Sequence, residues 1–167
     1  MNFHVEYRTS QTLEDGVTGA INALGNALSR GADRMEMRAA IQQVEQEMLK
    51  CPQTEQPLTH QFLPGLYLRT IINPKGSVVM TKIHREPNIS TVLKGKLLCI
   101  TEDGMETLTA PMQFITKPGT KRVLFAEEET LFSTTHPNPL NLTDIEALED
   151  RIIAPDFETI ETTVEAV

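Results

Sequence analysis

Four side chains near the middle of the sequence have the chemistry to hold an anion. Lys82 and His84 stand two residues apart, Asn88 follows four later, and Arg122 closes a Lys-Pro-Gly-Thr-Lys-Arg run over 117–122. In an extended segment Met80, Lys82 and His84 fall on one face. A guanidinium offers a planar fork of donors matched to carboxylate or phosphate, and a lysine or histidine beside it can share the same charge. These residues could equally leave the fold for solvent or pair with acids such as Glu86. Either way a buried Lys or Arg needs a partner. The remaining candidates point to packing. Cys99 lies in an apolar run over 97–101 and reads as a small buried hydrophobe. His136 ends an extended segment. It could act as a general base, but no Ser or Cys nucleophile with a supporting acid can be placed beside it, which favours a structural role. His4 and His60 fall in expected loops without metal-ligand spacing, and no glycine-rich phosphate loop or dinucleotide fingerprint is present.

The spacing of apolar residues predicts the elements that carry these groups. Over 11–50 the period is helical, with Leu13, Val17, Ala20, Ile21, Leu24 and Leu28 at three- and four-residue steps. Thr12 with Asp15 resembles a capping box and Gly31 supplies a stop. Asp33 caps a second helix with the stripe Met37, Ile41, Val44 and Met48, and Pro52 lies beyond its end. Gly16, Gly19 and Gly25 weaken the first helix. Packing must hold it, on its own domain or on a neighbouring subunit. Residues 51–60 read as a linker. From about 61 to 136 the period is two, predicting strands over 66–72, 77–83, 89–93, 96–101, 106–109, 112–116, 122–125 and 130–135. Asn73-Pro74-Lys75-Gly76, Lys94-Gly95, Asp103-Gly104 and Lys117-Pro118-Gly119 act as turns. Many short strands indicate a β-sandwich or barrel. A last helix starts at Thr143, capped by that side chain with Glu146 reaching back, and ends at Pro155 before an acidic tail. The expected organisation is a helical extension over 1–52, a β-barrel over 53–140, and a C-terminal helix with tail over 141–167.

Composition narrows the function classes. The 167 residues carry a net charge of −8, which disfavours a nucleic-acid coat or an anionic-membrane binder. Residues 61–126 nevertheless hold nine Lys/Arg against four acidic residues, a local +5 that leaves −13 for the rest. That is either ordinary solvated surface or a basic face meeting an anionic ligand or acidic helices of its own assembly. No apolar run is long enough for a transmembrane helix. No secretory signal is visible, and two cysteines make no disulfide framework, so the expected compartment is the cytoplasm (of a host, or a virion, for a phage-encoded protein).

Residues 76–95, from Gly76 through Lys82, His84 and Asn88 to Gly95, resemble the first motif of the cupin superfamily, in which a glycine, His-x-His, Glu and a second glycine recur at these spacings. Lys82 replaces the first histidine and Asn88 the glutamate. Residues 117–122 are loosely similar to the second motif, with Arg122 where the ligand histidine stands. The second half also looks similar to cupin-like proteins of unassigned role in phage and prophage genomes. The resemblance implies a mainly β, cupin-like jelly-roll barrel with an N-terminal helix pair and a short C-terminal helix, and it makes the face of Lys82 and His84 the interior. Of the four metal-ligand positions only His84 keeps a ligand. Lys82 and Arg122 repel a cation, so neither a metal nor any other cofactor is expected. Lys82, His84, Asn88 and Arg122 then form a candidate anion pocket. Three functions follow. The first is a non-enzymatic, homo-oligomeric assembly unit, a phage accessory or virion component that meets other phage proteins. The second is a binding module for an anionic small molecule, a nucleotide or sugar phosphate, for instance one that counters host defence. The third is a metal-independent enzyme similar to sugar-nucleotide epimerases, with His84 as base and Tyr67 or Tyr7 as acid.

Overall fold

The computed structural model describes residues 15–53 and 55–160. Thr12 and Leu13, with the first helix's expected capping box, lie outside them, as do His4, Tyr7 and the end of the acidic tail. Helix α1 (Asp15–Ser29) stops at Gly31, whose φ of 69° is the left-handed conformation that glycine adopts cheaply. Helix α2 (Arg34–Leu49) begins with a capping box in which the Asp33 carboxylate accepts from the Glu36 backbone N–H while the Glu36 carboxylate accepts from that of Asp33. Val17, Ala20, Leu24 and Ala27 of α1 pack against Met37, Ile41, Val44 and Met48 of α2. The same cluster takes in Val78, Met80 and Val123. The three glycine residues of α1 are therefore offset by packing within this chain, and the stripe that required a partner finds it on the chain's own sheet.

The strands follow as β1 (Leu58–Leu63), β2 (Gly65–Asn73), β3 (Val78–Met80), β4 (Ile83–His84), β5 (Asn88–Lys94), β6 (Lys96–Thr101), β7 (Gly104–Thr109), β8 (Met112–Thr116), β9 (Val123–Ala126) and β10 (Thr130–Asn138). After them come α3 (Ile145–Ile152) and β11 (Ile153–Ala154), and residues 157–160 are helical. The fold is mainly β, a jelly-roll arrangement of two sheets ordered β1-β2-β10-β5-β8 and β3-β9-β6-β7. Their facing sides share one core, in which Ile71, Val92 and Phe132 of the first meet Val79, Leu97, Cys99, Leu108, Leu124 and Ala126 of the second. The helix pair covers the outer side of the second sheet. β11 pairs with β4, setting Ile153 opposite His84. Arg85 N donates to Ile152 O at 2.8 Å, and Arg151 pairs with Glu86. No helix among the described residues is long and apolar enough to cross a membrane.

Three elements differ from the sequence reading. The expected linker over 51–60 gives its last residues to β1, whose Leu58, His60 and Phe62 alternate inward; polar neighbours and Pro57 masked that period. The expected strand over 77–83 breaks after Met80. Helix α3 is capped by Asp144, which accepts from Ala147 N at 2.9 Å, rather than by Thr143. The adjacent carboxylate is the stronger acceptor for an N-terminal N–H.

Charges tie the helices to the sheets in both senses. Glu45 of α2 pairs with buried Lys121, while Arg34 and Arg38 of the same helix clasp Glu102 in the β6–β7 turn. Of the two glycines in the cupin-like motif, Gly76 (φ 79°) has open space around it. At Gly95 (φ 82°) an added Cβ would lie 2.2 Å from the Glu129 carbonyl oxygen. Gly95→Ala is therefore expected to cost about 2 kcal/mol more than Gly76→Ala, which carries the backbone penalty alone. Denaturant unfolding of the two variants checks this.

Candidate functional site

Alternation along the five-stranded sheet sends two kinds of side chain inward. At one end lie the apolar residues of the shared core. At the other, β2 presents Tyr67 and Arg69, β5 Asn88 and Ser90, β8 Thr116, and β10 Thr134 and His136, all buried. His84 enters from β4, and Arg122 from the residue before β9. The sandwich thus has a dry end and a polar end.

Two arrangements occupy the polar end. The first is a hydrogen-bonded chain. The Ser90 hydroxyl donates to Asn88 Oδ1 at 3.2 Å and meets the Thr116 hydroxyl at 2.7 Å, and Arg122 Nη2 donates to Thr116 Oγ1 at 3.1 Å. The guanidinium lies 5.4 Å from the centre of the Phe114 ring, and Arg122 N donates to Thr81 Oγ1. Asn88 Nδ2 and Arg122 Nε are both buried donors without a hydrogen-bond partner. Arg122 makes no ion pair among the described residues. Burial pulls it below its usual range, yet it stays charged at neutral pH.

The second is a ladder of rings. His84 lies 4.7 Å from His136, His136 5.7 Å from Tyr67, and Tyr67 5.9 Å from His60, whose Nδ1 is hydrogen-bonded to the tyrosine oxygen at 2.7 Å. Burial, with the nearby Arg69 charge, pushes His136 down to about 4. Burial also lowers His60 and raises Tyr67 to about 12. At neutral pH His136 and Tyr67 are therefore both uncharged. Phe62 stacks on Tyr67 at 5.4 Å and walls a groove of about 360 Å³ shared with Leu63, Pro64, Asn138, Asn141 and Thr143.

Of the four residues expected to form an anion pocket, Asn88 and Arg122 are joined by the hydroxyl chain, and His84 lies in the ring ladder. Lys82 sits elsewhere. β3 points Val79 into the core and Met80 out against the helices, and the two irregular residues that follow reset the alternation. Lys82 is half-buried in that link, where its charge lowers the pKa of Lys121. Five residues that sequence reasoning gave no binding role, Arg69, Ser90, Thr116, Thr134 and His136, join the polar end. Each shares strand parity with a residue of the shared core: Arg69 with Ile71, Ser90 with Val92, Thr116 with Phe114, and the other two with Phe132. That was the available signal.

The donor set does not fit a cupin metal. No group of three or more His, Cys, Asp or Glu placed for metal binding occurs among the described residues. The Arg69 guanidinium charge acts on His136, an environment that disfavours a cation. Cys99 belongs to the shared core but meets Arg122, its thiol raised to about 11 by burial although the Arg122 charge and hydrogen bond oppose this.

The sequence matches no family model and no curated protein. Similar solved structures do exist. One is a cupin-2 domain protein from Shewanella frigidimarina NCIMB 400, 14% identical, with 56% of this chain and 91% of that one covered and a TM-score of 0.41. An ectoine synthase from P. lautus is 13% identical (58% and 74% covered, TM-score 0.46). An acetylacetone dioxygenase from Acinetobacter johnsonii is 22% identical (50% and 61% covered, TM-score 0.39). The likeness concerns the fold. It also corrects the expectation that this chain is not an enzyme. Two of these three structures are enzymes by name, and the fold alone does not decide whether this chain is one.

Proposed function

We propose that the polar end of the sandwich binds a small molecule bearing a carboxylate or phosphate, held by Arg122 and Asn88 beside His84. The supporting observation is the pair of buried, unpartnered donors, Arg122 Nε and Asn88 Nδ2, at the two ends of one hydroxyl chain. A buried guanidinium held in no ion pair, with only the longer-range charge of Glu106 and the Cys99 contact to offset burial, is costly, and an anion lowers that cost while filling both vacant donors. The resemblance to cupin-like proteins of phage and prophage genomes makes nucleotides the first class to test, followed by sugar phosphates. Binding raises the melting temperature by mass action. Arg122→Met is expected to weaken it by about 2 kcal/mol, roughly thirtyfold. Thermal shift against the panel, followed by calorimetry of the best ligand, reads both. No shift with any member, or equal affinity in Arg122→Met, removes the proposal.

A second reading is proton transfer on the bound molecule. It is favoured by the contact series Tyr67, His136, His84, which brings a phenol and two imidazoles to the same end. Tyr67 would act as acid and His84 as base in an epimerase-like reaction. Turnover of a nucleotide-linked deoxyhexose, lost in His84→Ala, is the observation that would establish it.

A further inference from the structure

The side chains of the candidate site are sealed from solvent. Tyr67 and His136 are each 2% exposed, Asn88 4% and His84 7%, so an anion can reach the vacant donors only after part of the protein moves. On the ring side the cover is the C-terminal segment. Leu148 and Ile152 of α3 pack on Tyr67, with Phe62 and Ile145 at the margin, and β11 then lies along β4 beside His84.

This cover is lightly fastened along its length and firmly held at its ends. Its ladder to β4 is two residues long, Ile153 opposite His84 and Ala154 opposite Ile83, and Arg85 N donates to Ile152 O beside it. Arg151 donates to the Glu86 carboxylate at 2.8 Å and to the Pro137 carbonyl at 3.3 Å, and the ion pair is partly exposed on both sides. Before α3, Asn138 and Leu142 exchange two hydrogen bonds, and Asn141 Oδ1 accepts from Gly65 N at 2.8 Å. After β11, Phe157 is buried with Ile83 and lies under the Arg38 guanidinium at 4.4 Å. Between anchors and cover, residues 143–144 and 155–156 belong to no helix or strand. The groove walled by Phe62 and Thr143 leaves unfilled space beside the first of these links.

We propose that residues 145–154 are a gate, which swings out about the two links to admit the anion and closes again over it. Such a gate presupposes the anion binding proposed above and supplies its route of entry. Opening breaks the short ladder, the Arg151 contacts and the packing on Tyr67, while the core shared by the two sheets stays intact. A partly exposed ion pair is weak, so this opening demands far less than unfolding. Closure withdraws anion and guanidinium from water, where their attraction is strongest.

Residue-resolved amide exchange of the full chain tests the gate first without ligand. The Arg85 and Leu148 amides, which donate to Ile152 and Asp144, should exchange about a hundredfold faster than the slowest amides of β5 and β10. Glu86→Gln should speed both about threefold and leave β5 and β10 unchanged, and Ile152→Ala should speed them at least about tenfold. Stopped-flow mixing with each nucleotide and sugar phosphate of the panel, beginning with adenosine monophosphate and glucose 1-phosphate, then reads the binding rates. Association and dissociation should both rise in each variant by the factor its exchange rises, with affinity unchanged, because the gate is closed before and after binding. Arg85 and Leu148 amides that exchange with the core overturn the gate. Binding rates indifferent to both variants also overturn it and place the entrance elsewhere, with the binding reading intact. A segment that opens while no member of the panel binds removes the binding reading, and the gate falls with it.

Discussion

Between pH 6.5 and pH 4 the protein is expected to lose about 3 kcal/mol of stability, with His136 the principal cause. The folded state holds this imidazole neutral to about pH 4, because it is buried and lies near Arg69, whereas the unfolded chain takes up the proton at the ordinary histidine value near 6.5. Across that window the unfolded state binds more protons, so acid favours it. Above pH 6.5 both states are neutral and the dependence vanishes. His60, lowered for the same reason, adds in the same direction. Glu102 acts lower on the scale. Burial raises its pKa, but the Arg38 and Arg34 contacts outweigh this and hold it below the usual range, so its contribution is lost only under about pH 4.5. Urea unfolding at half-unit pH steps gives the curve, and His136→Gln should flatten it between 6.5 and 4.5. A parent curve already flat there would show that His136 titrates normally. A bound anion should oppose the loss, because negative charge beside His136 raises its proton affinity. Ligand stabilisation should therefore grow as the pH falls from 7 to 5.

Glu45→Ala is expected to cost about 3 kcal/mol at pH 7, far more than an exposed ion pair contributes. Lys121 is 6% exposed, and burial lowers its pKa even with Glu45 in place and Lys82 adding repulsion. Removing the carboxylate leaves a buried ammonium whose pKa falls further, and that supplies a signature. A lysine depressed in the folded state destabilises below its folded pKa and recovers as pH rises towards 10.5, so the penalty should shrink in alkaline solution. The double variant Glu45→Leu with Lys121→Met should recover most of the stability, because no charge then remains to bury. If Glu45→Ala alone is as stable as the parent, the contact does not fasten α2 to the sheet.

Much of this architecture was legible because apolar period and turn chemistry agree. The stripes of α1 and α2, the Asp33 cap, the Gly31 stop and most strands follow from residues three, four or two apart. The candidate site was only half legible. Asn88 and Arg122 could be singled out by residue type and by the cupin-like spacing, but their connection passes through Ser90 and Thr116, hydroxyls marked in sequence by strand parity alone. Lys82 was misplaced because alternation was carried across residues 81–82, where a change of partner strand breaks it. His136 looked structural because its neighbours on the chain offer it no chemistry. Its neighbours in space, His84 and Tyr67, come from strands more than fifty residues away. Long-range pairing decides these cases, and local patterns do not encode it.

The two-residue pairing of β4 with β11 sets the order in which the site can be completed. His84 is held from one side by Ile153, and that partner is among the last described residues to be made. On a ribosome the strands of the sheets made earlier could pair first, while the edge that fixes His84 waits for a partner about seventy residues further along. Non-local closures of this kind carry the largest loop entropy and come late in folding. A chain cut short before Ile153 would keep the core shared by the two sheets and lack the clasp on its histidine, so the site is completed later than the core that surrounds it.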